Sequence, residues 1–154
     1  MRRTEREVTD ITEIESIIYG SDVCRIALAD DNNPYIVTMN FGYSGGITKK
    51  LFFHCSREGK KLDMIRRNNY VCFEMDSAHK LTQGEAACDF SMSYKSVVGW
   101  GHIHILDSDK EKREGLDIIM KQYTGQSDFT YKMKSLANIF VLRLDITEIA
   151  GKKS

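Results

Sequence analysis

The sequence has very little proline and no excess of charge of either sign. Pro34 is the only proline among 154 residues, and 22 basic residues balance 22 acidic ones. Because proline-rich and low-complexity stretches are absent, linkers and disorder are not indicated, and we expect one domain over residues 1–154. Without a basic excess, nothing indicates a nucleic-acid partner.

Long apolar runs are absent as well. The chain begins MRRTEREVTD, which is charged and has no apolar segment of signal-peptide length. No later run approaches the length that spans a membrane, so we expect a cytoplasmic protein with no membrane partner. Hydrophobic residues still make up 42% of the chain, which is enough for one core.

Recognisable metal and nucleotide motifs are also missing. The four cysteines form no CxxC pair, so we interpret them as buried or half-buried free thiols. His102 and His104 are spaced so that they can share a metal, but no third ligand is evident, and we predict no metal site. Neither G-x-G-x-x-G nor G-x-x-x-x-G-K-S/T occurs.

What the chain does contain is a series of short strands with three helices between them. Apolar periodicity and capping residues predict helices over 10–19, 58–67 and 108–123. Alternating or apolar segments predict strands over 23–29, 35–43, 51–55, 70–75, 93–107 and 139–149. Mostly consecutive strands favour an antiparallel sheet, which often closes into a barrel to hide its edges. We therefore predict a mainly β fold with flanking helices (α+β), an antiparallel barrel.

The segment FHCSREGKK, residues 53–61, is the best candidate for a binding site. A strand ends near His54, Ser56 follows, and the predicted helix carries Lys60 and Lys61 in its first turn. Free N–H groups at a helix start attract anions, whereas lysines there oppose the helix dipole. The pattern therefore indicates a phosphate site, although an ordinary solvated charged turn remains an equal alternative.

A second candidate is SVVGWG, residues 96–101. Gly99 and Gly101 share a strand face with Val97, so that face is nearly bare. Glycine inside a strand often marks the close approach of a ligand or of another backbone. Both interpretations remain open at this point.

Three blocks together resemble a known family. YIVTMNFGY, LFFHCSREGKKLDMIRRNNYVCFEM and GEAACDFSMSYKSVVGWG are similar, in order, to the pyridoxamine 5′-phosphate oxidase-related FMN-binding proteins, nearest to the nitroimidazole-resistance branch. The resemblance extends from the start of the chain to about Tyr123. It implies a split β-barrel homodimer with FMN bound at each subunit interface.

The resemblance also implies a set of cofactor-binding residues. The first block is expected along the isoalloxazine ring, the second around the ribityl phosphate, and the third completes the pocket. The residues so implied are Val37, Thr38, Met39, Asn40, His54, Ser56, Lys60, Lys61, Ser96, Val97 and Gly99. His54 is also the candidate catalytic residue. It is expected either to donate a proton or to shape the substrate side of the pocket.

These residues lead to a functional hypothesis. We expect an FMN-dependent oxidoreductase of the nitroreductase kind, acting on a small molecule. The alternative is a non-catalytic flavin or haem carrier or sensor on the same barrel, with His54, His102 or His104 as the axial ligand of the haem. The chain ends in GKKS and lacks the arginine-rich C-terminal motif of the true pyridoxamine phosphate oxidases, so vitamin-B6 oxidation is not expected.

Overall fold

The computed structural model describes residues 4–154, which form eight β-strands, four α-helices and two short 3₁₀ helices. The strands are β1 (Glu7–Val8), β2 (Cys24–Asp30), β3 (Asn33–Met39), β4 (Gly42–Ser44), β5 (Lys50–Ser56), β6 (Tyr70–Thr82), β7 (Ser91–Leu106) and β8 (Ile139–Lys153). The α-helices are α1 (Ile11–Tyr19), α2 (Lys60–Arg67), α3 (Asp109–Thr124) and α4 (Met133–Ala137). The 3₁₀ helices span Thr4–Arg6 and Ala87–Asp89.

All strands belong to one antiparallel sheet, ordered β3-β2-β6-β7-β8-β5-β4, with β1 also paired to β8. The two outermost strands, β3 and β4, are consecutive in the chain and only Asn40 and Phe41 separate them. So short a link forces the sheet to curl until its two edges come together. Within residues 4–154 these edges do not pair with each other, and the barrel is therefore split. The predicted mainly β, antiparallel fold class is confirmed.

The core lies inside the curled sheet, with a second cluster beneath α3. The inner cluster includes Phe41, Phe53, Phe73 and Leu142, each fully buried. The smaller cluster packs α3 and α4 onto the back of β5, β7 and β8 and consists of Phe52, Leu106, Leu116, Ile119, Leu136 and Val141. Helix α3 therefore covers one outer part of the sheet.

Helices α1 and α3 begin where the sequence predicts a cap. Asp10 caps α1 by accepting a hydrogen bond from the Thr12 amide at 2.8 Å, and Ser108 caps α3. Ile14, Ile17 and Ile18 of α1 are buried, while Ile11 at the start of the helix is 40% exposed.

Several boundaries differ from the predictions. The strand predicted over 35–43 is divided into β3 and β4, and both β6 and β7 extend into a longer paired ribbon. Helix α4 was not predicted. The turn between β2 and β3 consists of Asp31 and Asn32, and Asp31 has a φ of 52°. None of the helices within residues 4–154 is long and apolar enough to span a bilayer.

Candidate functional site

The loop between β5 and α2 has the geometry of an anion-binding turn. Ser56 ends β5, and its hydroxyl donates to the Glu58 carbonyl at 2.8 Å, which tightens the loop. Gly59 precedes the helix with φ 132° and ψ 158°, a conformation that side-chain-bearing residues rarely adopt. No side chain caps α2, so the amides of Lys60 and Lys61 are left for solvent or an anion, while those of Leu62 and Asp63 donate to the Gly59 carbonyl.

The two lysines of this first turn have different neighbours. The ammonium of Lys60 lies 4.7 Å from the centre of the Tyr35 ring on β3, a cation–π contact. Burial raises the pKa of the Cys55 thiol, and the charge of Lys61 opposes the rise. The helix start therefore carries two cations, and Lys60 connects it to β3.

Strand β3 presents the alternation that the sequence predicts. Val37 is half-buried and Met39 buried on the inner side, whereas Thr38 is exposed on the outer side. Asn40 follows the strand and donates from Nδ2 to the Tyr123 hydroxyl at 3.3 Å. Tyr35 brings this strand beside Lys60, so the first two predicted blocks do meet.

His54 projects from β5 on the opposite side from Cys55. It is exposed and lies opposite Val141 of β8 in the sheet register. Its imidazole has no hydrogen bond or ion pair with any residue in the range 4–154. The other histidines have polar neighbours: His102 contacts Asn69 at 3.3 Å, and His104 contacts Asp145 at 3.3 Å. Across the same range, no cluster of three or more His, Cys, Asp or Glu side chains is placed to hold a metal.

The third predicted block is buried more deeply than a ligand-facing strand would be. Val97 is fully buried in the core, and Ser96 is 9% exposed. A Cβ added to Gly99 would lie 2.5 Å from Cε1 of Phe73 and 2.7 Å from the Glu148 carbonyl oxygen. The sequence left two interpretations of the bare face of Gly99 and Gly101, a ligand or another backbone. The space is filled by the Phe73 ring and by carbonyl oxygens of β8, which agrees with the second interpretation, and Val97 and Gly99 face the core.

An apolar row on the outside of the sheet was not predicted from the sequence. Ile36, Ala27, Cys72 and Trp100 are direct cross-strand neighbours on β3, β2, β6 and β7 and therefore point to the same side. We call this row the outer stripe. Ile36 is 65% exposed, and the other three are half-buried. A hollow of about 220 Å³ lies here, lined by Arg25, Ala27, Ile36, Cys72, Phe73 and Glu74.

Charged residues border the outer stripe. Arg25 lies next to Ala27 on the same strand and pairs with Glu74 at 3.0 Å and with Asp76 at 2.5 Å. These carboxylates raise the pKa of the guanidinium. His79 contacts the second oxygen of Asp76 at 2.8 Å and stacks on Tyr94. The outer face is thus an apolar centre with an ionic rim.

The cysteines are free thiols in the structure. Cys24 and Cys55 are buried, and Cys72 is half-buried. Burial raises the pKa of all three thiols, most strongly for Cys24. Cys88 is exposed, which differs from the prediction, because it lies in the 3₁₀ turn that joins β6 to β7.

The curled antiparallel sheet with its flanking helices defines a split-barrel protein. Similarity to known proteins identifies the family. The family model described as pyridoxamine 5′-phosphate oxidase matches residues 10–153. The chain belongs to this family, in agreement with the resemblance of its sequence blocks. No curated protein matches the chain closely.

Solved structures give the same result. A proposed 5-nitroimidazole antibiotic resistance protein from Bacteroides thetaiotaomicron is 36% identical, with a TM-score of 0.83 over 96% of this chain and 86% of that chain. An FAD and heme binding protein from Mycobacterium smegmatis is 19% identical, with a TM-score of 0.82 over 97% of this chain and 73% of that one. The flavocytochrome Anf3 from Azotobacter vinelandii is 16% identical, with a TM-score of 0.81 over 100% and 72%. The last two show a shared fold.

Proposed function

We propose that this protein binds FMN and uses it as an oxidoreductase of the nitroreductase kind on a small molecule. The observation that carries the proposal is the start of α2, where an uncapped helix end, Gly59 and two lysines form a cradle for a phosphate. The names of the similar proteins support a flavin, and the name of the Bacteroides relative supports a nitroimidazole as the kind of substrate.

In this proposal the chain's residues hold and orient the cofactor. Lys60, Lys61, Ser56 and the first amides of α2 bind the phosphate, because they surround one loop. The isoalloxazine ring follows β3, where Thr38 and Asn40 are exposed and available to it. FMN supplies the electron transfer, and the protein supplies position and electrostatics. Val97 and Gly99 face the core, so any cofactor contact of theirs involves the backbone alone.

His54 is the proposed proton donor near the substrate. Its imidazole is exposed and has no hydrogen bond within residues 4–154, and it lies two residues before Ser56. The same freedom supports the second candidate, a non-catalytic flavin or haem carrier in which His54 is the axial ligand. His102 and His104 are the less favoured ligands because each already contacts a polar side chain.

We further propose that the working form is a homodimer in which a second copy covers the outer stripe. An outward row that contains an exposed isoleucine and a half-buried alanine, cysteine and tryptophan is an unusual outer surface for a sheet whose core lies on its other side. None of the four cavities described in the single chain is lined by a predicted cofactor residue. A site completed by a second copy accounts for both features.

The absorption spectrum of the purified protein tests this function. Flavin absorption bands, together with the release of FMN on denaturation, support the proposal. A Soret band supports the haem carrier. Turnover of a nitroaromatic with a chemical reductant then separates an enzyme from a carrier. A colourless protein that takes up neither FMN nor haem on titration contradicts both candidates.

A further inference from the structure

Arg57 lies inside the candidate phosphate loop, yet its side chain is directed across the end of β8 to the residue that follows β7. Its Nη1 donates to Oδ1 of Asp107 at 2.8 Å, and its Nη2 donates to Oδ2 at 3.3 Å. The guanidinium carbon lies 4.1 Å from the centre of the Phe140 ring. Asp107 directly follows β7, so this bidentate pair joins the β5–α2 loop to the β7–α3 junction.

Asp107 is held in place by a second cation. The ammonium of Lys112 on α3 lies 2.8 Å from Oδ1 of Asp107 and donates to the Leu136 carbonyl at 3.2 Å. The Lys112 side chain is only 2% exposed. Hydrogen bonds from Arg57 and Lys112 lower the pKa of Asp107 to about 2, so the carboxylate stays charged at neutral pH.

These contacts engage both terminal nitrogens of Arg57, although its side chain is 39% exposed. Both terminal nitrogens face Asp107, Nη1 is also 3.4 Å from the Ala137 carbonyl, and one face of the guanidinium covers Phe140. The other cations of the loop, Lys60 and Lys61, have no carboxylate partner among residues 4–154. The loop therefore has one neutralised cation and two available ones.

We infer that Arg57 is a positioning residue, which fixes the loop through Asp107 so that Lys60, Lys61 and the first amides of α2 meet a phosphate group. It is not itself a phosphate ligand. The inference rests on the proposed function and adds that three contacts hold the β5–α2 loop in one conformation, which we call the frame. Arg57 anchors the start of the loop, the Ser56–Glu58 hydrogen bond tightens it, and Lys60 on Tyr35 holds its end.

The test compares FMN with riboflavin, which lacks the phosphate, in titrations of apoprotein. The variants are Arg57→Gln and Arg57→Lys, and the control is Arg66→Gln, an exposed arginine of α2 that contacts only Asp63 within its own helix. Asp107 is left intact because its removal would leave the buried Lys112 without a counter-ion. We expect both Arg57 variants to lose about tenfold in FMN affinity, with riboflavin affinity and the control unchanged.

Arg57→Lys distinguishes position from charge. Lysine keeps the positive charge but cannot form the bidentate pair, so a positioning role predicts no rescue. If Arg57→Lys binds FMN like the wild type while Arg57→Gln does not, Arg57 is a direct phosphate ligand and the inference is wrong. Unchanged FMN affinity in both variants, or equal losses for FMN and riboflavin, also overturns it. If the wild type itself binds FMN no better than riboflavin, the phosphate site of the proposed function fails.

Amide hydrogen exchange tests the frame without any flavin. In Arg57→Gln, the amides of Leu62 and Asp63, which donate to the Gly59 carbonyl, should exchange faster than in the wild type, while those of β6 should not change. Arg66→Gln should leave the loop unaffected. Unchanged exchange at Leu62 and Asp63 in Arg57→Gln would show that the pair with Asp107 does not hold the loop.

Discussion

The hydroxyl of Tyr123 lies 3.0 Å from the backbone nitrogen of Phe41 and accepts its hydrogen bond. The same hydroxyl donates to the Asp22 carbonyl at 2.8 Å and receives the side-chain amide of Asn40 at 3.3 Å. One phenol near the end of α3 thus ties down the break between β3 and β4, where the two edges of the split barrel meet. The rings of Phe41 and Tyr123 also meet edge to face.

Removal of this hydroxyl should destabilise the fold. Tyr123→Phe leaves the Phe41 amide without its acceptor, and Phe41 is fully buried. Because an unsatisfied buried donor costs about 1–3 kcal/mol, we expect a loss of that size in the free energy of unfolding, measured by urea denaturation. Tyr19→Phe is the matched control, since the Tyr19 hydroxyl has no hydrogen bond within residues 4–154. Equal losses in both variants would contradict the assignment.

This contact also shows what sequence reasoning can and cannot find. The alternation that puts Val37 and Met39 inward and Thr38 outward is local, and the sequence predicted it. The break at Asn40 and Phe41 depends on a hydroxyl 82 residues away, which no local pattern reveals. For the same reason the outer stripe was missed: Ile36 and Trp100 come to lie in one row only through the register of four strands.

The strand glycine Gly99 gives a second prediction. Gly99→Val should lower the free energy of unfolding by about 1–3 kcal/mol, because the new side chain overlaps Phe73 and the Glu148 carbonyl. Denaturant unfolding of the apoprotein measures this. Met92→Val places the same side chain at an exposed position on the same strand and should have little effect. A Gly99→Val variant of normal stability that no longer binds FMN would instead favour a direct contact with the ring.

The sequence left two interpretations of Gly99, the close approach of a ligand or of another backbone, because either approach requires a glycine. A glycine within a strand marks close approach, but the identity of the approaching group depends on the fold. In the structure it is Phe73, which stands opposite Gly99 in the β6–β7 register. The candidate phosphate loop was easier to predict, since its strand end, glycine and first helical turn lie within nine residues.

The proposed homodimer predicts a mass near twice 17.7 kDa in sedimentation experiments. Ile36→Lys puts a charge at the exposed end of the outer stripe and should shift the protein to monomer, because a buried unpaired charge is costly at an interface. The control is Ile47→Lys, a fully exposed isoleucine in the turn after β4. FMN affinity should fall together with dimerisation if the site needs both chains. A wild-type monomer that binds FMN tightly would refute this proposal.

The lysines of α2 provide the sharpest test of the cofactor. A charge-assisted hydrogen bond to phosphate contributes roughly 1.5–3 kcal/mol, so loss of one lysine should weaken FMN binding about 10- to 100-fold. Riboflavin affinity should barely change. We expect Lys61→Ala to have the larger effect, by its place in the motif that the sequence resembles. Lys60 already makes a cation–π contact with Tyr35, which agrees with a smaller effect of Lys60→Ala than of Lys61→Ala.

The measurement is a titration of FMN and riboflavin against wild type, Lys60→Ala and Lys61→Ala at two salt concentrations. Lys110→Ala, a highly exposed lysine on α3, controls for the loss of one positive charge. Screening by salt should reduce the FMN affinity of the wild type more than that of either α2 variant, because the wild type has the additional ionic contact. If both α2 variants keep wild-type affinity for FMN, the phosphate does not bind at this helix start. Residues 57–61 are then an ordinary charged turn, the alternative that the sequence left open.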